Sequence, residues 1–318
     1  MLRREFTFLS ADGKTPIHAV EWQPEGPVRA VVQLTHGVSE FILRYEPFAQ
    51  YLTEHGFSVV GHDHLGHGGS VTPGAPRVYF GPKGSWDWVL ADLEERRRLA
   101  EEAFPHVPQF LLGHSMGSFV TRTYLIRFPG RVDGAIIMGT GQMADLLTAG
   151  GRLVAQLEAL RLGETAVSPI ISRLSFDAYN KLFAPNRTPF DWLSVNTDNV
   201  DFYIAHPLCG GAPTIGLFRE MLGGISFIKK AKNLANMQKT TPILFISGEM
   251  DPVGDCGKGV KLAHENFRKA GMTDVELILY PGLRHEILCE HEAPQVYADI
   301  LSWLERKLPT TVAGRGNS

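Results

Sequence analysis

The chain has 318 residues, 44% hydrophobic and 20% charged, with a net charge of −3. That composition supplies a sizeable core and excludes a wholly disordered chain, a collagen and a small disulfide scaffold. The near-neutral charge carries no footprint for nucleic acid, so no nucleic-acid partner is expected.

The first ten residues hold Arg3 and Arg4 but no apolar h-region, so no signal peptide is expected. Residues 6–9 and 17–22 predict a hairpin around Asp12-Gly13. Residues 30–35 form an apolar run that stops at His36-Gly37 and predicts a strand. A helical pattern over 45–55 ends at Gly56, and 57–61 is the next strand. Residues 86–104 repeat apolar side chains near the 3.6 period. Within them Arg96-Arg97-Arg98, flanked by Glu94, Glu95, Glu101 and Glu102, predicts a solvated helix face. Then come a strand over 109–112, a helix over 116–128 stopped by Pro129-Gly130, and a strand over 134–138. Buried runs alternating with amphipathic helices indicate a parallel sheet.

The rhythm breaks over 140–241, where no convincing strand is found. Residues 144–161 read as a helix, with short apolar or aromatic pieces at 176–183, 190–195, 214–222 and 225–237. The rhythm resumes with a strand at 242–247, a helix at 258–270, a strand at 275–280 and a helix at 294–308. The expected organisation is therefore a core from 1–139 and 242–308, a mainly helical insertion at 140–241, and a flexible tail at 309–318. No apolar run nears the ~18 residues of a membrane span. Cys209, Cys256 and Cys289 are odd in number and widely spaced, which suits free thiols in a reducing, cytoplasmic setting.

The most informative stretch is Phe110-Leu-Leu-Gly-His-Ser-Met-Gly-Ser-Phe119. It holds Gly113-His114-Ser115-Met116-Gly117, a G-x-S-x-G pattern with a strand running in and a helix running out. Ser115 would sit on a sharp turn that presents its hydroxyl, and glycines at 113 and 117 would remove the clashing Cβ atoms. A serine hydroxyl needs a base. Of 12 histidines, His285 is preferred because it follows the last strand on a loop at the carboxyl edge of the sheet. The orienting acid should follow the preceding strand, where Asp251 is first choice, ahead of Asp255 and Glu249. An oxyanion hole would take the N–H of Met116 and that of Val38, in the loop after the run at 30–35. His36 fits loop structure better than proton transfer. The histidine-rich stretch from Gly61 to Ser70 reads as a structural loop rather than a metal site, and no metal is expected.

These residues resemble a known family. His36-Gly-Val-Ser-Glu40 with Arg44-Tyr45, Asp63-His-Leu-Gly-His-Gly-Gly-Ser70, Gly113-His-Ser-Met-Gly117, Gly248-Glu-Met-Asp251 and Pro281-Gly-Leu-Arg-His-Glu286 are similar to the monoacylglycerol lipase/lysophospholipase group of serine α/β-hydrolases. The stretch 196–211, with Asp201 and His206-Pro-Leu-Cys209, resembles bacterial lysophospholipase-like members. Ser39 departs from the glycine that many members carry. The resemblance implies an α/β-hydrolase fold: a mostly parallel sheet flanked by helices, with 140–241 as a helical cap. It implies Ser115, Asp251 and His285 as catalytic residues, Val38 and Met116 as oxyanion donors, and no cofactor. The implied reaction is hydrolysis of small acyl esters, with transient lipid-surface contact through the cap. A proline-iminopeptidase-like peptidase, an acyltransferase on the same scaffold and a non-catalytic binding module remain alternatives. Cys256 and Cys289, five residues beyond Asp251 and four beyond His285, are further candidates for the pocket lining.

Overall fold

A computed structural model of the protein describes residues 1–174 and 176–309; of the tail expected at 309–318, all but residue 309 falls outside them. Eight strands form one sheet: β1 (Leu2–Leu9), β2 (Pro16–Gln23), β3 (Ala30–Thr35), β4 (Phe57–His62), β5 (Gln109–His114), β6 (Gly134–Met138), β7 (Ile243–Gly248) and β8 (Val275–Tyr280). Their order is β1-β2-β4-β3-β5-β6-β7-β8. The β1–β2 hairpin joins antiparallel through β2 to β4, with Trp22 opposite Val59, and the six strands from β4 to β8 run parallel. Strand order reverses beside β3, which lies between β4 and β5. In an open parallel sheet the crevice at such a reversal, outside the carboxyl ends, is where ligands bind. The loops beginning at His36 and Ser115 leave the sheet there.

The core strands are buried on both faces, and alternate residues divide between two layers. Phe110 and Leu112 of β5 pack with α1 (Glu46–Glu54) and α11 (Ala293–Lys307), against Phe48, Leu52, Ile300 and Trp303. Leu111 faces the other way, towards α2 (Trp86–Ala103), α3 (Met116–Arg127) and, after the insertion, α10 (Lys258–Lys269). Each such fully buried side chain contributes about 1.5–3 kcal/mol of transfer free energy.

The arginine run departs from expectation. Arg96 is fully buried and pairs with Glu21 of β2 at 3.0 Å, and Arg97 is held by Glu94 and Glu101. Only Arg98 of the three is exposed. Successive helical residues point about 100° apart, so the three arginines spread over roughly 200° of the helix and Arg96 falls on the side that meets the sheet.

Between β6 and β7 every regular element among the described residues is helical. These are α4 (Asp145–Leu162), α5 (Pro169–Leu174), α6 (Phe176–Asn180), α7 (Thr197–Ala205), α8 (Ile215–Ile228) and α9 (Ala231–Leu234), with short 3₁₀ turns at Lys181–Phe183 and Asp191–Leu193. The piece read at 214–222 and the first four residues of that read at 225–237 form one helix, α8; the remainder turns into the short α9. Gly223-Gly224 does not break α8, because a Cβ on Gly224 would come within 2.5 Å of the Trp86 ring; glycine lets α8 settle on α2. No described helix is long and apolar enough to cross a membrane.

The histidine-rich loop is structural. Asp63 accepts hydrogen bonds from Ile42 N (2.7 Å), Gly69 N (2.8 Å) and His18 Nδ1 (2.8 Å). His36 donates through Nδ1 to Gly37 O and accepts at Nε2 from His64 N. Burial, then the neighbouring His67, pushes His36 down to about 3. Burial also lowers His62, His64 and His67. The unfolded chain binds these protons at a pKa of ~6.5 and the folded chain cannot. Stability is therefore expected to fall as pH drops below ~6.5, by up to ~1.4 kcal/mol per pH unit for each of these histidines. His18 and His114 shift upward and act only above that pH. Asp92, raised to about 6 by burial, offsets one histidine below pH 6. Urea midpoints measured from pH 7 to 5 check this; a flat profile contradicts it.

Candidate active site

Ser115 is the residue between β5 and α3, with φ 54° and ψ −120°. For a residue with a side chain such backbone costs of order 1–3 kcal/mol and persists only where its surroundings hold it. Here Ser115 N donates to Met138 O at 3.0 Å, while Ser118 N and Ser118 Oγ donate to Ser115 O. The flanking glycines are sterically required. A Cβ on Gly113 would lie 2.3 Å from Gly117 O, and one on Gly117 2.0 Å from Thr35 O. Met116 opens α3, so its N–H belongs to the unsatisfied first turn, where the helix favours negative charge.

His285 and Asp251 are brought together. The Asp251 carboxylate accepts from His285 Nδ1 at 2.9 Å, from Val253 N at 2.9 Å and from Ser247 Oγ at 3.2 Å. Asp251 is fully buried and His285 nearly so. Asp255 and Glu249, the other acids considered, are exposed. With Nδ1 donating to the carboxylate, Nε2 is left to accept a proton. Trp192 packs over the imidazole at 5.1 Å between ring centroids, and His114 lies on it at 4.7 Å.

Two cavities meet at Ser115. One, of 130 Å³, is lined by Gly37, Val38, Ser115, Trp192, Tyr203 and His285, among others. The other, of 420 Å³, is largely apolar and includes Val38, Met116, Phe119, Leu147, Phe218 and Met221. Val38 and Ser115 line both. The loop carrying Val38 backs onto the serine: a Cβ on Gly37 would lie 3.1 Å from Ser115 Cβ.

Behind this lies a buried polar network that sequence reasoning missed. Glu40 Oε1 accepts from Gly37 N (2.6 Å) and Tyr45 OH (3.0 Å) and lies 3.2 Å from His114 Nδ1. Arg44 bonds Glu40 and, through both terminal nitrogens, Glu286. Burial alone would raise the Glu40 carboxyl, but His114 and the Arg44 charge hold it well below the usual carboxylate range. Asn199 of α7 bonds both Arg44 and Glu286. The Glu40–Arg44 spacing was visible in sequence, whereas Glu286 and Asn199 are 242 and 155 residues away from Arg44. Neither Cys256 nor Cys289 lines a cavity that includes Ser115. Cys289 faces a separate 660 Å³ cleft, and burial pushes its thiol up to about 12. Among the described residues no group of three or more His, Cys, Asp or Glu is arranged to hold a metal ion.

A hydroxyl at a helix start, an imidazole oriented by a buried carboxylate and an apolar chamber alongside can together perform nucleophilic attack on a carbonyl. A family model described as serine aminopeptidase, S33, matches residues 26–292. A monoacylglycerol lipase of Mycolicibacterium smegmatis is 29% identical over 95% of this chain and 97% of its own length. A monoglyceride lipase of Rattus norvegicus is 27% identical over 96% and 91%. Among solved structures, a thermostable carboxyl esterase from Bacillus coagulans, in complex with glycerol, is similar with a TM-score of 0.90. It is 26% identical, with 97% of this chain and 100% of that chain covered.

Proposed function

The chain belongs to the family described as serine aminopeptidase, S33, and from that premise we propose that it hydrolyses monoacylglycerols or similar small acyl esters through Ser115, His285 and Asp251. It is a carboxylic ester hydrolase of the monoacylglycerol-lipase-like group, on the α/β-hydrolase fold. The observation that carries the finer reading is the position of Ser115 where an apolar 420 Å³ chamber meets a small cavity beneath His285. The chamber suits an acyl chain and the small cavity a compact alcohol.

Ser115 Oγ attacks the ester carbonyl carbon as His285 Nε2 takes its proton. The N–H groups of Val38 and Met116 hold the oxyanion. The C–O bond to the alcohol breaks, and His285 returns the proton to the leaving oxygen. Water, deprotonated by His285, then attacks the acyl-enzyme and releases the acid and the serine. No step requires a cofactor or metal.

Residues 140–241 act in this reading as a cap over the site. Leu146, Leu153, Leu157 and Leu160 of α4 are more than half exposed. Such a face fits transient contact with a lipid surface. The three cysteines, none in a disulfide, support a reducing, cytoplasmic compartment.

A peptidase needs an acid to receive the substrate amine. Asp191, Asp198, Asp201 and Glu220 line neither cavity at Ser115. Glu40 and Glu286 do border the small one, but both are engaged by Arg44. Among the described residues no lysine or arginine lines that cavity to receive a phosphate. A substrate panel tests this. Monoacylglycerol is expected to be turned over faster in vesicles than as monomers, lysophospholipid poorly, and an aminoacyl-naphthylamide not at all. Preferred cleavage of the naphthylamide would overturn the ester reading.

A further inference from the structure

The loop that carries His285 is joined to the insertion by one buried carboxylate that the mechanism does not use. Glu290 is 3% exposed and accepts four hydrogen-bond donors. They are Ser194 Oγ (2.5 Å), Val195 N (2.9 Å), Asn196 N (3.1 Å) and Arg284 N (3.1 Å). Three are backbone amides, and Arg284 is the residue immediately before His285. Among the described residues no cation lies within ion-pair distance of this carboxylate, and hydrogen-bond donors hold it. A buried carboxylate is tolerable only because every lone pair finds a donor.

The same two segments are tied again on either side. Glu286 N donates to Leu193 O at 2.8 Å. Asn196 Nδ2 donates to Cys289 O at 2.9 Å, and Arg284 Nη1 to Ser194 O at 3.2 Å. The segment so fastened carries Trp192, which covers the His285 ring. The insertion is therefore not uniform. Its 191–196 stretch is welded to the histidine loop, whereas α4 presents exposed leucines and none of these ties.

We propose that Glu290 is a positioning residue: it locks the 191–196 strap and the 284–290 loop into one body, so that Trp192 packs on the His285 ring while Asp251 holds its Nδ1. The proposal rests on His285 being the base. A glutamine at 290 keeps one acceptor oxygen but turns an NH₂ group towards donors. At least one amide is then left unpaired, and the two segments separate by a fraction of an ångström.

The test uses Glu290→Gln and Ser194→Ala, with active sites counted by a fluorophosphonate that labels the reactive serine. For Glu290→Gln, kcat per labelled site is expected to fall on the order of 10²-fold with KM nearly unchanged, because misplacing a catalytic group affects the chemical step and not substrate binding. The rate constant of fluorophosphonate labelling should fall in parallel. A residue that only supports folding would lower the labelled fraction and the melting temperature, and leave both rates per active site intact.

Ser194→Ala removes one donor without leaving the carboxylate unpaired. It should lower kcat by about a tenth of that factor and remain folded if Glu290→Gln does not. The double variant should be less impaired than the product of the single effects. Unchanged kcat per labelled site in both single variants overturns the proposal. Absence of labelling at Ser115 in the wild-type protein would instead overturn the mechanism it rests on.

Discussion

Ser115→Ala is expected to lower kcat/KM for p-nitrophenyl esters by at least ~10⁴-fold while the protein stays folded. Only the Oγ is lost. The Cβ remains, so the strained turn at φ 54° keeps its cost and its supporting bonds from Ser118 N and to Met138 O. Those bonds involve backbone atoms of residue 115, as does the one from Ser118 Oγ. Melting temperature should therefore barely change, which separates loss of the nucleophile from loss of the fold. Turnover within about tenfold of wild type would show that another group attacks.

Asp251→Asn is expected to cost about 10⁴-fold in kcat at neutral pH, by a different route. Val253 N must donate to one side-chain atom at position 251, and His285 Nδ1 faces the other. An asparagine satisfies Val253 with its oxygen and turns its NH₂ towards His285. Nδ1 must then accept, the proton moves to Nε2, and the imidazole can no longer take the serine proton. The charge that would stabilise the imidazolium is lost as well. Steady-state kinetics beside Asp255→Asn and Glu249→Gln identify the acid. Those two side chains are exposed, and their variants should stay near wild-type activity. A large loss in either, with Asp251→Asn active, would reassign the role.

How much was legible in the sequence follows from the range of the forces. The elbow at Ser115 announces itself because its demands are local. Gly113 and Gly117 lie within two residues of the serine, and any side chain there collides with fixed backbone. The apolar runs that became β3 to β7 were equally legible, since strands buried on both faces need uninterrupted hydrophobicity. Arg96 was misread because charge pattern says nothing about which helical residue meets Glu21 of a distant strand. The α8 helix was read as two pieces on either side of Gly223-Gly224, whereas in the fold it runs through them and Gly224 admits the Trp86 ring. The Glu40–Arg44–Glu286–Asn199 network and the Glu290 junction were out of reach for the same reason. Glu290 and its partners in the insertion are 94 to 96 residues apart, and no periodicity joins them.

The two cavities tie the insertion to the space around Ser115. The apolar chamber takes part of its wall from α4, α5 and α8, and part from Val38 and Met116 of the core. Trp192 borders both chambers, so one side chain of the insertion touches the space on each side of Ser115 and the His285 ring. Changes in acyl preference should therefore map to the insertion, and changes in the chemical step to the core loops and the segments fastened to them.

The central claim is that Ser115 forms an acyl-enzyme. Mass spectrometry of protein quenched during turnover of a slow p-nitrophenyl ester tests it most directly. The account predicts one acyl group per chain, on the peptide containing Ser115, absent from Ser115→Ala and accumulating in step with the burst of p-nitrophenol. An active wild-type protein that shows a burst with the acyl group on another residue would contradict it.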